Sequence, residues 1–166
     1  MNKPFLDRYS GQTLQQLIAM KSSHRIDSLV LAVEQALLHK PDMVLTEPER
    51  VVIAVEAMER EVNNGGYGQL FLNSPRESTE FLVRALELIG CPKVAAISSD
   101  AIAILKLPTG FDSNTVERVA SELSDEALGK LGECDSRYYA NDESIDERLF
   151  AYVEQHQNEI RIPHAA

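Results

Sequence analysis

The segment of residues 46–74 constrains the fold more than any other, because it joins a long apolar helix to a double glycine. Thr46 and Glu49 have the spacing of a capping box, in which each side chain accepts a hydrogen bond from the other's backbone amide. An apolar stripe at helical spacing follows, made of Val51, Val55, Met58 and Val62. The opposite side of the helix carries Glu49, Glu56, Arg60 and Asn63. The pattern predicts a helix that is buried on most of its circumference.

The double glycine, Gly65 and Gly66, is predicted to end this helix, since glycine adopts the left-handed conformation of a helix terminus at the lowest cost. Beyond it, Tyr67, Leu70 and Phe71 again recur at helical spacing. We therefore expect a short second helix that docks back on the first.

Residues 63–73, here called the amide-rich turn, place several side-chain amides next to apolar groups. Its characteristic residues are Asn63, Asn64, Gly65, Gly66, Tyr67, Gln69, Phe71 and Asn73. Buried amides need hydrogen-bond partners, so the favoured interpretation is structural, with the amides tying the turn to its neighbours. The alternative is a ligand site lined by Asn and Gln, although no nucleophile, base or metal ligand accompanies them.

The remaining apolar periodicity is helical throughout, and no alternating pattern of strand length occurs. Helices are predicted over 13–20, 26–39, 76–89, 94–105, 114–123 and 125–139, with a last helix after Ser144. Ser124 is the predicted cap of the helix at 125, and Ser144 with Glu147 has the spacing of a second capping box. The fold class is therefore all-α, with roughly eight packed helices.

Length and composition favour a single domain that needs neither disulfides nor metal for stability. Residues 1–12 read as a loosely ordered tail and residues 13–166 as one helical domain. The turn cluster at 107–110 separates an apolar core half, 13–110, from an acidic helical part, 111–166. The acidic part is too short to form a separate core.

No apolar run approaches the roughly 20 residues that span a bilayer, and the N-terminus has no export signal. We expect a cytoplasmic protein without membrane contact. Cys91 and Cys134 are isolated in the sequence and are expected to be free thiols.

The chain carries 26 acidic and 16 basic residues, a net charge of −10. Residues 111–166 contribute 13 acids and 5 bases, net −8, whereas residues 1–110 contribute only −2. A surface of this sign repels nucleic acid and attracts basic protein surfaces. Direct nucleic-acid binding is therefore disfavoured.

No catalytic residue, cofactor or metal site is predicted, so the chain is not expected to be an enzyme. It has no nucleophile elbow, phosphate-binding loop, HExxH or EF-hand spacing. His156 and Glu159 form only a two-ligand pair on a terminal turn, whereas a zinc site usually has three or four protein ligands.

Three segments resemble a known family. Residues 61–73 (EVNNGGYGQLFLN), 85–90 (ALELIG) and 135–139 (DSRYY) are similar to the bacterial DNA mimic protein domain family, an all-helical family of mostly uncharacterised members. The resemblance extends over about residues 26–157. The amide-rich turn is its most specific part, and it marks the fold rather than a binding surface.

The resemblance implies a homodimer that displays carboxylates where duplex DNA displays phosphates. Such a protein occupies the DNA-binding face of a basic partner such as a helix-turn-helix transcription regulator. The candidate partner-binding acids are Glu117, Glu122, Asp125, Glu126, Glu133, Asp135, Asp142, Glu143, Asp146 and Glu147. The alternative is an acidic interaction or immunity-type protein without DNA mimicry, whose charge serves solubility.

Overall fold

The computed structural model describes residues 2–40, 44–73, 76–112 and 114–163. Ser74, the last residue of the constraining segment, lies outside these ranges. The described part of the chain contains eight α-helices and no strand, which confirms the all-α fold. The helices are α1 (Leu14–Ala19), α2 (Ile26–Leu38), α3 (Glu47–Asn73), α4 (Arg76–Leu88), α5 (Pro92–Ile104), α6 (Thr115–Ser121), α7 (Asp125–Ala140) and α8 (Ile145–Gln155).

The chain forms two compact units. Unit 1 comprises residues 1–56 and 144–166, and unit 2 comprises residues 57–143. The first part of α3 belongs to unit 1 and the remainder to unit 2. The sequence predicts one helical domain with an apolar core half up to residue 110 and an acidic helical part after it. This layout stays a prediction.

In unit 1, α2 packs against both α1 and α8. Their apolar stripes form the core, in which Leu17, Leu29, Val33, Leu149 and Val153 have no exposed surface.

Residues 2–12 form no helix but hydrogen-bond to the rest of unit 1. The amide of Arg25 donates to the carbonyl of Pro4 at 2.9 Å, and the amide of Tyr9 donates to Oε1 of Gln35 at 2.9 Å. The predicted loose order of this tail stays a prediction.

The capping box at the start of α3 is present. The Thr46 amide donates to Oε2 of Glu49 at 2.9 Å, and the Glu49 amide donates to Oγ1 of Thr46 at 3.4 Å. Glu49 and Glu56 are both buried, although they lie opposite the apolar stripe. Position on a helical wheel therefore did not predict their exposure.

Glu49 is a fully buried carboxylate with several hydrogen-bond donors around it. Lys40 Nζ lies 2.8 Å from Oε2, and the amide of Arg161 donates to Oε1 at 2.7 Å. Burial alone raises the pKa of Glu49, but the hydrogen bonds from Lys40, Arg161 and Thr46 together with the Lys40 charge outweigh it, so the pKa is lowered. Glu49 thus joins α3 to the segment before it and to the C-terminal segment.

In unit 2, α5 packs against α4 and α7. Lys93 Nζ contacts Asp142 at 2.5 Å, whereas Arg137 contacts Asp100 at 2.7 Å. Because the partner residue number falls as the number along α5 rises, α5 and α7 run antiparallel.

The two predicted serine caps have different outcomes. Ser124 accepts a hydrogen bond from the amide of Ala127, as predicted. Ser144 makes no side-chain capping hydrogen bond, so the capping box with Glu147 is wrong. The ψ of Ser144 is 86°, against 160° at Ser124, and this difference changes the position of the first helical amides relative to the side chain.

We expect Glu49→Gln to lower the free energy of unfolding by about 3 kcal/mol at pH 7, because it removes one partner of a buried ion pair. The difference from the wild type should shrink as the pH falls below 4.5, the ordinary value of the carboxyl pKa. A lowered folded-state pKa stabilises the fold above the unfolded pKa, and this contribution is lost as the pH falls through the folded pKa.

Urea denaturation between pH 3 and 7 measures this difference. Glu87→Gln, an exposed acid on α4, is the control and should stay within about 0.5 kcal/mol of the wild type. A pH-independent difference for Glu49→Gln would contradict the assignment.

Candidate functional site

The chain reverses direction at the double glycine of the amide-rich turn. Gly66 has φ 76° and ψ −174°, a combination that is essentially restricted to glycine. Nδ2 of Asn73 donates to Oε2 of Glu61 at 2.7 Å. Twelve residues of straight helix would separate these positions by about 18 Å, which is beyond the reach of the two side chains. The short helix after the glycines therefore docks back on the first, as predicted.

Asp135 of α7 holds this reversal in place. Its Oδ1 accepts a hydrogen bond from the amide of Tyr67 at 2.7 Å. A Cβ atom added to Gly66 would lie 2.3 Å from Oδ2 of Asp135. The carboxylate thus occupies the space left by the missing side chain, and only glycine permits this approach.

The amides of the turn bond to groups within unit 2. Asn63 donates to the carbonyl of Glu59 at 2.7 Å. Gln69 donates to Oε2 of Glu61 at 3.1 Å, the oxygen that Asn73 also contacts. Asn64 is exposed. Sequence reasoning did not identify Glu61 as the shared acceptor, because nothing in its local pattern indicates which side chains will face it.

Aromatic residues of the turn lie in the core of unit 2. Tyr67 and Phe71 have no exposed surface. The hydroxyl of Tyr67 forms a 2.8 Å hydrogen bond with Ser98 of α5, and Tyr138 of α7 donates to Glu59. Burial raises the pKa of both tyrosines, so that both hydroxyls stay protonated at neutral pH.

The predicted partner-binding acids fall in both units. Asp146 and Glu147 lie on α8 of unit 1, and the other eight belong to unit 2. Unit 2 carries 15 acids and 8 bases, net −7, against −3 for unit 1. Most of the negative charge is thus on unit 2.

Three of these acids bind groups inside unit 2. Asp135 supports the turn. Glu143 accepts from the amides of Lys93 and Val94 at 3.1 and 2.9 Å, at the N-terminus of α5, and Asp142 pairs with the Lys93 side chain. The carboxylates of Asp135, Asp142 and Glu143 therefore have structural functions, which the sequence pattern did not indicate.

Two further acids form exposed ion pairs one helical turn apart. Glu126 lies 2.6 Å from Lys130, and Glu122 lies 3.8 Å from Arg118. The hydrogen bond from Lys130, together with its charge, lowers the pKa of Glu126. Exposed pairs of this kind stabilise a protein weakly, so a partner can displace them.

Glu117, Asp125 and Glu133 are exposed and form no ion pair with the described residues. Glu126 and Glu133, seven residues apart on α7, lie on the same side of that helix, about 10 Å apart along its axis. In unit 1, Glu147 is exposed and Asp146 is attracted to Arg25. Glu117, Asp125 and Glu133 of unit 2, together with Glu147 of unit 1, carry the charge most available to a partner.

Within the described ranges, no group of three or more His, Cys, Asp or Glu side chains is placed to hold a metal ion. His156 and Glu159 contact each other directly at 2.8 Å. None of the described helices is both long and apolar enough to cross a bilayer.

We expect Gly66→Ala to destabilise the protein by about 3 kcal/mol, because it adds backbone strain and a clash with Asp135. Gly68→Ala is the matched control: no atom of the described residues lies within 4 Å of its added Cβ, and alanine favours the helix by up to about 1 kcal/mol. Thermal unfolding of both variants tests this. Equal melting temperatures would contradict the role assigned to Gly66.

We expect Asp135→Asn to lower the free energy of unfolding by about 1 kcal/mol, since it weakens a charge-assisted hydrogen bond to the Tyr67 amide. Glu133→Gln on the same helix should change stability by less than about 0.5 kcal/mol. Urea denaturation measures both values. An undiminished stability of Asp135→Asn would show that the carboxylate is not needed at the turn.

A sequence model of one family, described as DMP19-like protein, matches residues 44–156. Comparisons with curated proteins and with solved structures give no match. The matched range contains the kinked helix, the amide-rich turn and the acidic helices α6 and α7. The chain therefore belongs to the DMP19-like family, that of DNA mimic protein 19, as the resemblance of its turn predicts.

Proposed function

We propose that this protein is a non-enzymatic binding domain that acts as a DNA mimic. Its surface carboxylates occupy the DNA-binding face of a basic protein such as a helix-turn-helix transcription regulator. The observation that carries the proposal is the set of exposed acids without ion pairs on α6 and α7, Glu117, Asp125 and Glu133, in a member of the DNA mimic family.

Charge density supports a binding surface built from more than one helix. Duplex DNA carries about one negative charge per 1.7 Å of its axis. Glu126 and Glu133 are about 10 Å apart along the axis of α7, so the charges of one helix are much more widely spaced than those of DNA. Acids of α6 and of the segment between α6 and α7 add their negative charge to that of α7. Unit 2, with its net charge of −7, attracts a basic protein surface at long range.

We also propose that the amide-rich turn is structural and not part of the binding surface. Its amides bond to Glu59 and Glu61, and its aromatic residues are buried. A substitution in the turn should therefore alter partner binding only through stability. The homodimer and the cytoplasmic location stay predictions.

A specific observation favours the alternative, an acidic interaction or immunity-type protein. Leu128 and Tyr139 on α7 are 48% and 58% exposed, and their spacing of eleven residues places them on one side of the helix. Binding through such apolar groups would depend little on salt.

The proposal is tested by retention of a partner from a lysate of the source cells at low and high salt, followed by displacement with duplex DNA. Mimicry predicts that retention falls as ionic strength rises and that DNA competes. If DNA fails to displace the partner at low salt, mimicry is rejected. Salt-resistant retention would support the apolar alternative.

We expect Glu117→Gln with Glu133→Gln to weaken binding of that partner about tenfold, or about 1.4 kcal/mol, and to reduce its salt dependence. The control double variant, Asp7→Asn with Glu87→Gln, makes the same charge change at exposed sites outside the candidate acids. Isothermal titration calorimetry at two salt concentrations measures both. Equal weakening by the two doubles would show that only net charge matters.

A further inference from the structure

Two cavities adjoin the C-terminal end of α5 in unit 2. The larger, of about 540 Å³, is lined by the end of α5, the end of α6 and the start of α7. The smaller, of about 390 Å³, is lined by α4, α5 and the segment 106–111. Ala103 and Lys106 line both. The smaller cavity has a volume typical of small-molecule sites.

Thr79 in the wall of the smaller cavity has an unsatisfied hydroxyl. The residue is 4% exposed, and its Oγ1 atom has no hydrogen-bond partner among the residues that the structure describes. Buried hydroxyls nearly always have partners, and an exception calls for a specific cause. A bound molecule with an acceptor group would supply the missing partner.

Lys106 is the second unusual residue of these cavities. It has φ 49°, a left-handed conformation that is uncommon for residues other than glycine. Its ammonium forms no direct ion pair or hydrogen bond with the described residues, although its charge contributes to lowering the pKa of Glu126 in the wall of the larger cavity. Lys93, Lys130 and Arg137, in contrast, all form direct ion pairs. Backbone strain and a lysine without a direct ion pair to the described residues thus coincide at the wall that the two cavities share.

The remaining wall of the smaller cavity is mostly apolar, with polar groups at a few points. Its apolar side chains are Val83, Ile102, Leu107 and Phe111, and its polar side chains besides Thr79 and Lys106 are Glu80 and Ser99. The combination of an apolar lining with a few convergent polar groups is characteristic of ligand sites.

We propose that the smaller cavity binds a small monocarboxylate with an apolar body. The carboxylate pairs with Lys106, the apolar body contacts Ile102, Leu107 and Phe111, and an oxygen of the ligand accepts from Thr79. Polyanions such as nucleotides are disfavoured, because unit 2 carries a net charge of −7. One lysine balances one negative charge.

This site goes beyond the proposed DNA mimicry and does not depend on it. The exposed acids without ion pairs, Glu117, Asp125 and Glu133, do not line the smaller cavity. Ligand binding is measured on the isolated full chain, so failure of one proposal leaves the other intact.

The experiment titrates octanoate and 4-phenylbutyrate into the ¹⁵N-labelled full chain and follows amide shifts by NMR. We expect saturable shifts centred on Thr79, Ile102 and Lys106, with a Kd of about 1 mM or tighter. Octanamide, the neutral analogue, should bind at least about tenfold more weakly, and AMP should not compete. Absence of saturable shifts for both carboxylates, or equal affinity for octanamide, overturns the proposal.

Substitutions distinguish the contribution of Lys106 to ligand binding from that of Thr79. Lys106→Asn suits the left-handed backbone but removes the charge, and should weaken octanoate binding about tenfold or more. Lys106→Arg, the matched control, should stay within about threefold of the wild type. Thr79→Val should weaken binding severalfold and raise the Tm of the unliganded protein, because it removes a buried hydroxyl that has no partner. Undiminished affinity of Lys106→Asn overturns the proposal.

Discussion

The hydrogen bond from the Tyr67 amide to the Asp135 carboxylate is the interaction on which unit 2 depends. It forms only where the backbone of Gly66 leaves room for a carboxylate. The reversal that it stabilises places Tyr67 and Phe71 in the core and brings Asn73 to Glu61. The residues of the segment NNGGYGQ, which carries the resemblance to the family, are thus explained by geometry: Gly66 for the φ and the close approach, Tyr67 for the core, and Asn63 and Gln69 for the neighbouring acceptors.

Acidic residues in this protein have two different functions. Glu49, Asp135 and Glu143 accept hydrogen bonds from backbone amides and thereby hold segments together. Glu117, Asp125 and Glu133 form no such contacts with the described residues and contribute charge to the surface. A net charge of −10 therefore overstates the charge that is free to act on a partner. Of the ten acids that the sequence indicated, four are exposed without an ion pair to the described residues: Glu117, Asp125 and Glu133 on α6 and α7, and Glu147 on α8.

The helices were predictable because their signals are local. The capping box of Thr46 with Glu49 and the cap at Ser124 depend on residues three apart in the chain, and the apolar stripes repeat within single helices. Ser144 shows the limit of such reasoning, since it has the capping-box spacing of Thr46 and Glu49 but makes no capping hydrogen bond. Burial of Glu49 was likewise not predictable, because two of its donors come from Lys40 and from Arg161, 112 residues away.

The sequence alone determined the all-α fold, most helix boundaries, the reversal at the double glycine and the family. Each of these follows from periodicity, from backbone preferences or from a short motif. Only the tertiary structure decided which acids are buried, which are paired and which are exposed without a partner. It also placed Thr79 and Lys106 in the wall of one cavity, 27 positions apart in the chain. The reason is that a charge interacts through space, so its environment depends on residues that packing brings near and that the linear pattern does not specify.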